Sequence, residues 1–170
     1  MICHSISNIP GEPLKKKKRR DIEIQDLAYS DWSLENVETK LGPVPAVMIK
    51  NAKKGLVKIS LNFDGEHVDL QVVKQAVDLI GAENLLMMTD AIESGRLAGR
   101  KLYRKEGSTL LYQDQGIVAA GSCGIVRQIQ NMLTIGLSVN QIEKICCTNP
   151  AMLLANHNRY ILKNIPSTTH

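Results

Sequence analysis

One stretch of about 35 residues constrains this chain more than any other, because it reads as strand, helix and strand in direct succession. Val57-Lys58-Ile59-Ser60-Leu61-Asn62-Phe63 alternates apolar and polar side chains with the period of two that a strand requires, and it stops at Asp64-Gly65. Asp69 then stands where a helix needs a capping acceptor, and Leu70, Val73, Ala76, Val77 and Ile80 recur at helical spacing up to Gly81. Glycine there suits a helix end. Leu85-Leu86-Met87-Met88-Thr89 follows as a short apolar run of the kind buried on both faces of a sheet, ending at Asp90. A strand, a crossover helix and a second strand imply parallel pairing, so the expected class is α/β.

The remaining segments are arranged around this unit. Gly42-Pro43-Val44-Pro45 is turn chemistry. Lys101–Arg104 and Thr109–Gln113 predict a small β-hairpin around Glu106-Gly107-Ser108. A helix is expected from Gly124 to Leu133, and another from Ser138, which with Gln141 fits a capping box and puts Ile142, Ile145 and Cys146 on one face. The chain thus divides into a loop-rich, poorly ordered N-terminal segment 1–41, a folded part 42–156 and a C-terminal tail 157–170.

Charge bears on partners. The formal net charge of +4 is local, because Lys15-Lys16-Lys17-Lys18-Arg19-Arg20 supplies six of 21 basic residues and the remainder sets 15 basic against 17 acidic. That balance argues against nucleic acid as a partner and reads the run as a solvated loop. No apolar run approaches the roughly 20 residues of a membrane span, and no leader pattern opens the sequence, so a cytoplasmic location without a membrane partner is expected. Cys3, Cys123, Cys146 and Cys147 lack the spacings of a metal ribbon or disulfide framework.

Three places stand where parallel α/β folds hold ligands, beyond the carboxyl ends of strands. His67 follows the first strand, Asp90 ends the second, and Gly121-Ser122 precedes a helix. Spacing alone leaves plainer readings open: Asp90 as a turn or cap former, His67 as an exposed turn histidine, Gly121-Ser122 as an ordinary helix start.

Read together, the motifs carry more. Phe63-Asp64-Gly65-Glu66-His67-Val68 is similar to a D-G-x-H-V pattern, and Met87-Met88-Thr89-Asp90-Ala91 to a V-T-D-A strand end. Val118-Ala119-Ala120-Gly121-Ser122 resembles an L-A-G-S loop, and Thr148-Asn149-Pro150-Ala151 a late T-N-P-A signature. In this order and spacing, over about residues 42–156, they resemble the metal-dependent amidohydrolases that deacetylate N-acetylglucosamine 6-phosphate. The resemblance implies the C-terminal part of a (β/α)₈ TIM-type barrel, its last two strands with the helices after them, carrying the small hairpin as an insertion. It implies Asp90 as the catalytic acid–base, His67 as a substrate contact, and Ala119, Ala120 and Gly121, with Ser122 adjacent, as the loop that holds the sugar. It further implies an amino-sugar phosphate as substrate, a divalent metal such as zinc that activates water, and the family's tendency to form homo-oligomers. The metal ligands of earlier strands have no counterpart before Gly42. Cys3-His4-Ser5 offers His4 alone, as a degenerate echo of a T-H-x-x-N-A-M motif. A chain with so few ligands is expected to be inactive by itself, as a truncated relative or a binding module.

Overall fold

The computed structural model describes residues 31–113 and 116–155; His4, the basic run 15–20 and the expected tail 157–170 lie outside the described residues. Two helices come first, α1 (Val37–Leu41) and α2 (Pro43–Lys53), separated by Gly42 alone. The turn expected over Gly42–Pro45 is therefore corrected: the chain reverses at Gly42, whose φ of 84° favours glycine, and helix resumes at once. Pro43 and Pro45 fit there because the first turn of a helix has N–H groups with no intrahelical partner to lose. Residues 33–41 likewise form a turn and helix where loop was expected, with Ser33 and Asn36 capping each other's backbone. Trp32 and Val37 pack into the same core as Ile49 and Ile59.

The strand–helix–strand unit forms as read. β1 (Ile59–Leu61) pairs in parallel with β2 (Leu85–Met87), Ile59 beside Leu85 and Leu61 beside Met87. Between them runs α3 (Leu70–Ile80), started by the Asp69 carboxylate accepting from the Gln71 N–H and ended at Gly81. Its inner stripe, Val72, Val73, Ala76, Val77 and Ile80, lies in the core with Phe63 and Leu85. Burial of the valine, isoleucine, leucine and phenylalanine side chains among them contributes about 1.5–3 kcal/mol each. One detail differs from expectation: Leu85 is buried, but Leu86 and Met87 are only half-buried, so β2 is not covered on both faces.

A second group of strands follows. The short ladder of β3 (Arg96–Leu97) and β4 (Arg100–Lys101) leads into an antiparallel sheet of β5 (Tyr103–Arg104), β6 (Leu110–Tyr112) and β7 (Val118–Gly121). The expected hairpin is its β5–β6 part. Ala119–Gly121, expected as a loop, is instead strand, with Ala120 paired to Leu111 and Gly121 to Leu110. A single parallel bridge between Ala91 and Gly121 joins this sheet to the segment leaving β2.

Helix α4 (Ile125–Thr134) then begins at Gly124, and α5 (Val139–Glu143) opens with the Ser138–Gln141 capping box. A π-helical turn, Lys144–Thr148, follows and buries Ile145. Asn149, within the Thr-Asn-Pro-Ala segment, donates its amide to the carbonyls of Ala82 (2.8 Å) and Leu85 (2.7 Å) and so fixes the start of β2. Among the described residues, no helix is long and apolar enough to cross a membrane.

Candidate active site

The carboxyl ends of β1 and β2 meet at a polar cluster. After Phe63 the chain turns sharply around Asp64, whose Oδ1 accepts the backbone N–H groups of Glu66 and His67, each at 2.9 Å. This turn folds the His67 ring back, so that its Nδ1 stands 2.5 Å from Asp64 Oδ2. The Asp64 side chain is wholly shielded and that of His67 is 12% exposed. Asn62 completes the support: its Oδ1 accepts the Asp64 N–H at 2.7 Å, and its Nδ2 donates to the Thr89 carbonyl at 3.0 Å, crossing from β1 to β2.

Asp90 lies three residues beyond β2 with φ 49°, a left-handed conformation that aspartate tolerates better than most residues. Its carbonyl accepts the Gly121 N–H at 2.7 Å, and its carboxylate, 39% exposed, places Oδ2 3.6 Å from His67 Nε2. Strand β7 walls the cluster at Gly121. A Cβ there would sit 3.1 Å from His67 Cε1 and 3.6 Å from Asp64 Oδ2, so only glycine fits without displacement. Two of the three expected sites, His67 and Asp90, thus face each other directly, and Gly121 packs against both. Ala119 and Ala120 run away from the cluster along β7. Ser122 is already committed, its N–H and hydroxyl both donating to the Thr109 carbonyl, at 2.8 and 2.7 Å.

The electrostatics follow from these contacts. The hydrogen bond to Asp64 holds the His67 ring above its ordinary pKa, against the opposing effect of burial and with help from the Asp64, Asp90 and Glu66 charges. Burial works to raise Asp64, but the His67 ring and the two backbone N–H groups outweigh it, so its carboxyl sits below its usual range. Glu66 is held in the same sense: burial opposes, while Ser108 and Thr109 prevail. Glu66 ties the β5–β6 hairpin to the site, accepting the Thr109 N–H at 2.6 Å and the Ser108 and Thr109 hydroxyls at 2.5 Å.

Sequence reading gave no role to several of these residues. Asn62 belongs to the polar side of an alternating strand, yet it is buried. Gln128 is fully buried on α4, with Oε1 accepting the Phe63 N–H at 2.9 Å and Nε2 reaching the carbonyls of Thr89 (3.3 Å) and Cys123 (3.4 Å). Asn131, one turn on, donates to the Phe63 carbonyl at 2.7 Å. The available signal was on α4 itself, where Gln128 and Asn131 fall at the i, i+3 spacing of one face. The Asp64–His67 spacing around Gly65 was a second, since an aspartate before glycine commonly closes a turn on its own backbone.

The divalent metal implied by the resemblance does not fit these residues. Among the described residues no three of His, Cys, Asp and Glu converge as a metal would require. Asp64 spends both oxygens on its own turn and on His67 Nδ1, leaving His67 Nε2 and the Asp90 carboxylate as the uncommitted donors. His4 lies outside the described residues. Cys123, Cys146 and Cys147 are free, and burial pushes the Cys123 and Cys146 thiols up, away from the reactive thiolate.

At the level of sequence, no family profile and no curated protein matches the chain. In structure, it is similar to the N-acetylglucosamine-6-phosphate deacetylases of Thermotoga maritima and Pasteurella multocida, each with a TM-score of 0.53 at 21% identity. The likeness is one of fold. It takes in 59% of this chain against the first and 66% against the second, and 29% of each deacetylase chain. The chain therefore corresponds to less than a third of those enzymes, and the part it shares is a mixed helix and strand architecture with small sheets.

Proposed function

We propose that this chain carries the substrate-facing part of a deacetylase-type site, built on the C-terminal portion of a TIM-type amidohydrolase barrel and incomplete by itself. The observation that carries this reading is the meeting of His67 and Asp90 at the carboxyl ends of two adjacent parallel strands, in a chain whose fold resembles deacetylases. Asp90 is the catalytic carboxylate. Its carboxylate is 39% exposed and takes no structural hydrogen bond among the described residues, so it can take a proton from a water attacking an acetamide carbon. It can then return that proton to the nitrogen as the C–N bond breaks, giving acetate and an amine. His67 orients a polar group of an amino-sugar phosphate beside it, and Gly121 with the strand end before Ser122 forms the wall against which the sugar rests. No step is assigned to a metal, because the described residues do not assemble ligands for one.

The exposed apolar side chains of α4, Ile125, Val126 and Leu133, and the outer edges of β1 and β2, which pair with no further strand among the described residues, support a reading in which further polypeptide completes the barrel. The test has two arms on the full chain. Titrating N-acetylglucosamine 6-phosphate into isotope-labelled protein should shift the resonances of His67, Asp90 and Gly121, and a flat response at millimolar sugar would refute the site. With zinc added, acetate release should stay negligible. A rate comparable to that of a complete deacetylase, lost in Asp90→Asn, would overturn the incompleteness.

A further inference from the structure

Asp64 takes no part in the proton transfers assigned to Asp90, yet its carboxylate is fully shielded and fully engaged. Two backbone N–H groups converge on Oδ1, and Oδ2 stands 2.5 Å from His67 Nδ1. An ionised carboxylate has no hydrogen to give, so the ring must carry its own at Nδ1. Asn62 Nδ2 also lies 3.4 Å from that nitrogen, but it is the weaker neighbour: its N–H is directed to the Thr89 carbonyl at 3.0 Å. With Nδ1 protonated, the neutral ring leaves a lone pair at Nε2, the atom 3.6 Å from the Asp90 carboxylate. Gly121 lies on the third side, where a Cβ would come within 3.1 Å of Cε1 and glycine leaves the ring its place.

We propose that Asp64 is the positioning residue of this site: it fixes His67 as the Nδ1–H tautomer and turns Nε2 toward Asp90. The inference rests on the assignment of Asp90 and His67 to the site, and gives that site its polarity. Because Nε2 is a lone pair facing a carboxylate, it gains a proton readily and then becomes a hydrogen-bond donor between Asp90 and a bound oxygen. The opposite tautomer would be a permanent donor there. The titratable groups that act on the ring are Asp64 and Glu66 from its own loop and Asp90 from beyond β2. Strand β7 presents glycine, and Cys123, at the entry to α4, itself feels Asp64, Arg127 and Glu66.

Long-range proton–nitrogen NMR of the full chain reads both ring nitrogens directly. Above the ring's titration, His67 should show a pyrrole-type Nδ1 and a pyridine-type Nε2. In Asp64→Asn, Oδ1 still accepts the two backbone N–H groups, which turns the new amide nitrogen toward the ring. The tautomer should then reverse, and the proton affinity of His67 should fall about tenfold or more with the loss of the anion. Asp90→Asn should lower the affinity less and leave the tautomer unchanged. An Nε2–H ring or an even mixture in the unaltered chain overturns the proposal, as does an unreversed tautomer in folded Asp64→Asn. Should that variant not fold, the tautomer of the unaltered chain decides alone. Failure of the sugar titration with the expected tautomer would sink the functional reading and spare this one, and the converse result would do the reverse.

Discussion

Replacing Gln128 with methionine should cost far more than an exposed-helix substitution, although it preserves volume and apolar packing. Gln128 is buried completely and links three segments: the end of β1 through the Phe63 N–H, the end of β2 through the Thr89 carbonyl, and the entry to α4 through the Cys123 carbonyl. Methionine fills the same space and can make none of these bonds. The largest loss is at Phe63, whose N–H would lie buried without an acceptor, at about 1–3 kcal/mol. Thr89 retains the amide of Asn62, and the bonds from Gln128 to Thr89 and Cys123 are long, so together they add about 1 kcal/mol. The total is about 2–4 kcal/mol, which for a chain of this length lowers Tm by about 4–16 °C. Urea unfolding followed by circular dichroism measures it, with the slope checked to confirm that the transition stays cooperative. A loss below 1 kcal/mol would show that the bracket does not hold the strand ends.

Two further outcomes follow from the same cluster. Gly121→Ala should displace the His67 ring, because the new methyl would lie 3.1 Å from Cε1; the variant should lose about 1–3 kcal/mol and shift the ring resonances, and unchanged ring shifts would refute the close approach. Stability should also peak at mildly acidic pH. His67 is raised above 6.5 in the folded chain, so its contribution is complete below 6.5 and is lost as pH rises through the raised value; Asp64 is lowered below 3.8, so its contribution is present above 3.8 and is lost as pH falls through the lowered one. Both limbs describe one contact, and in Asp64→Asn both should flatten when the urea midpoint is followed against pH.

The local grammar of the chain was readable where one side chain acts on its own neighbourhood. Asp69 and Ser138 cap helices because each carries its acceptor to a nearby N–H, and Gly81 ends α3 by the conformation its sequence position requires. The strand pair was readable because its apolar runs and its crossover helix agree. What stayed hidden depends on partners distant in sequence. Asn62 reads as solvated in an alternating strand, and its buried amide is satisfied on the nitrogen side by Thr89, 27 positions later. Val118–Gly121 reads as a loop because its pairing partner, Leu110–Tyr112, is what makes it a strand. Gly42-Pro43-Val44-Pro45 misleads for another reason: proline and glycine mark turns and helix starts alike, and here they mark both within four residues.

The same distinction separates the strong and weak parts of the site. His67 is held by Asp64, three positions before it, so its orientation is a property of one short loop. Asp90 is held differently. Its carboxylate has no structural hydrogen bond among the described residues; its backbone is fixed through the Gly121 N–H, 31 positions later, and through Thr89, which Asn62 and Gln128 grip from two other elements. A free carboxylate on a clamped backbone is the arrangement proton transfer needs, since the group must reorient between an attacking water and a departing nitrogen while its anchor stays still. Every element of that clamp, β1, β2, β7 and α4, lies between residues 59 and 134. The geometry around Asp90 is thus assembled by this chain from its own segments, whereas the described residues assemble no ligand set for a metal.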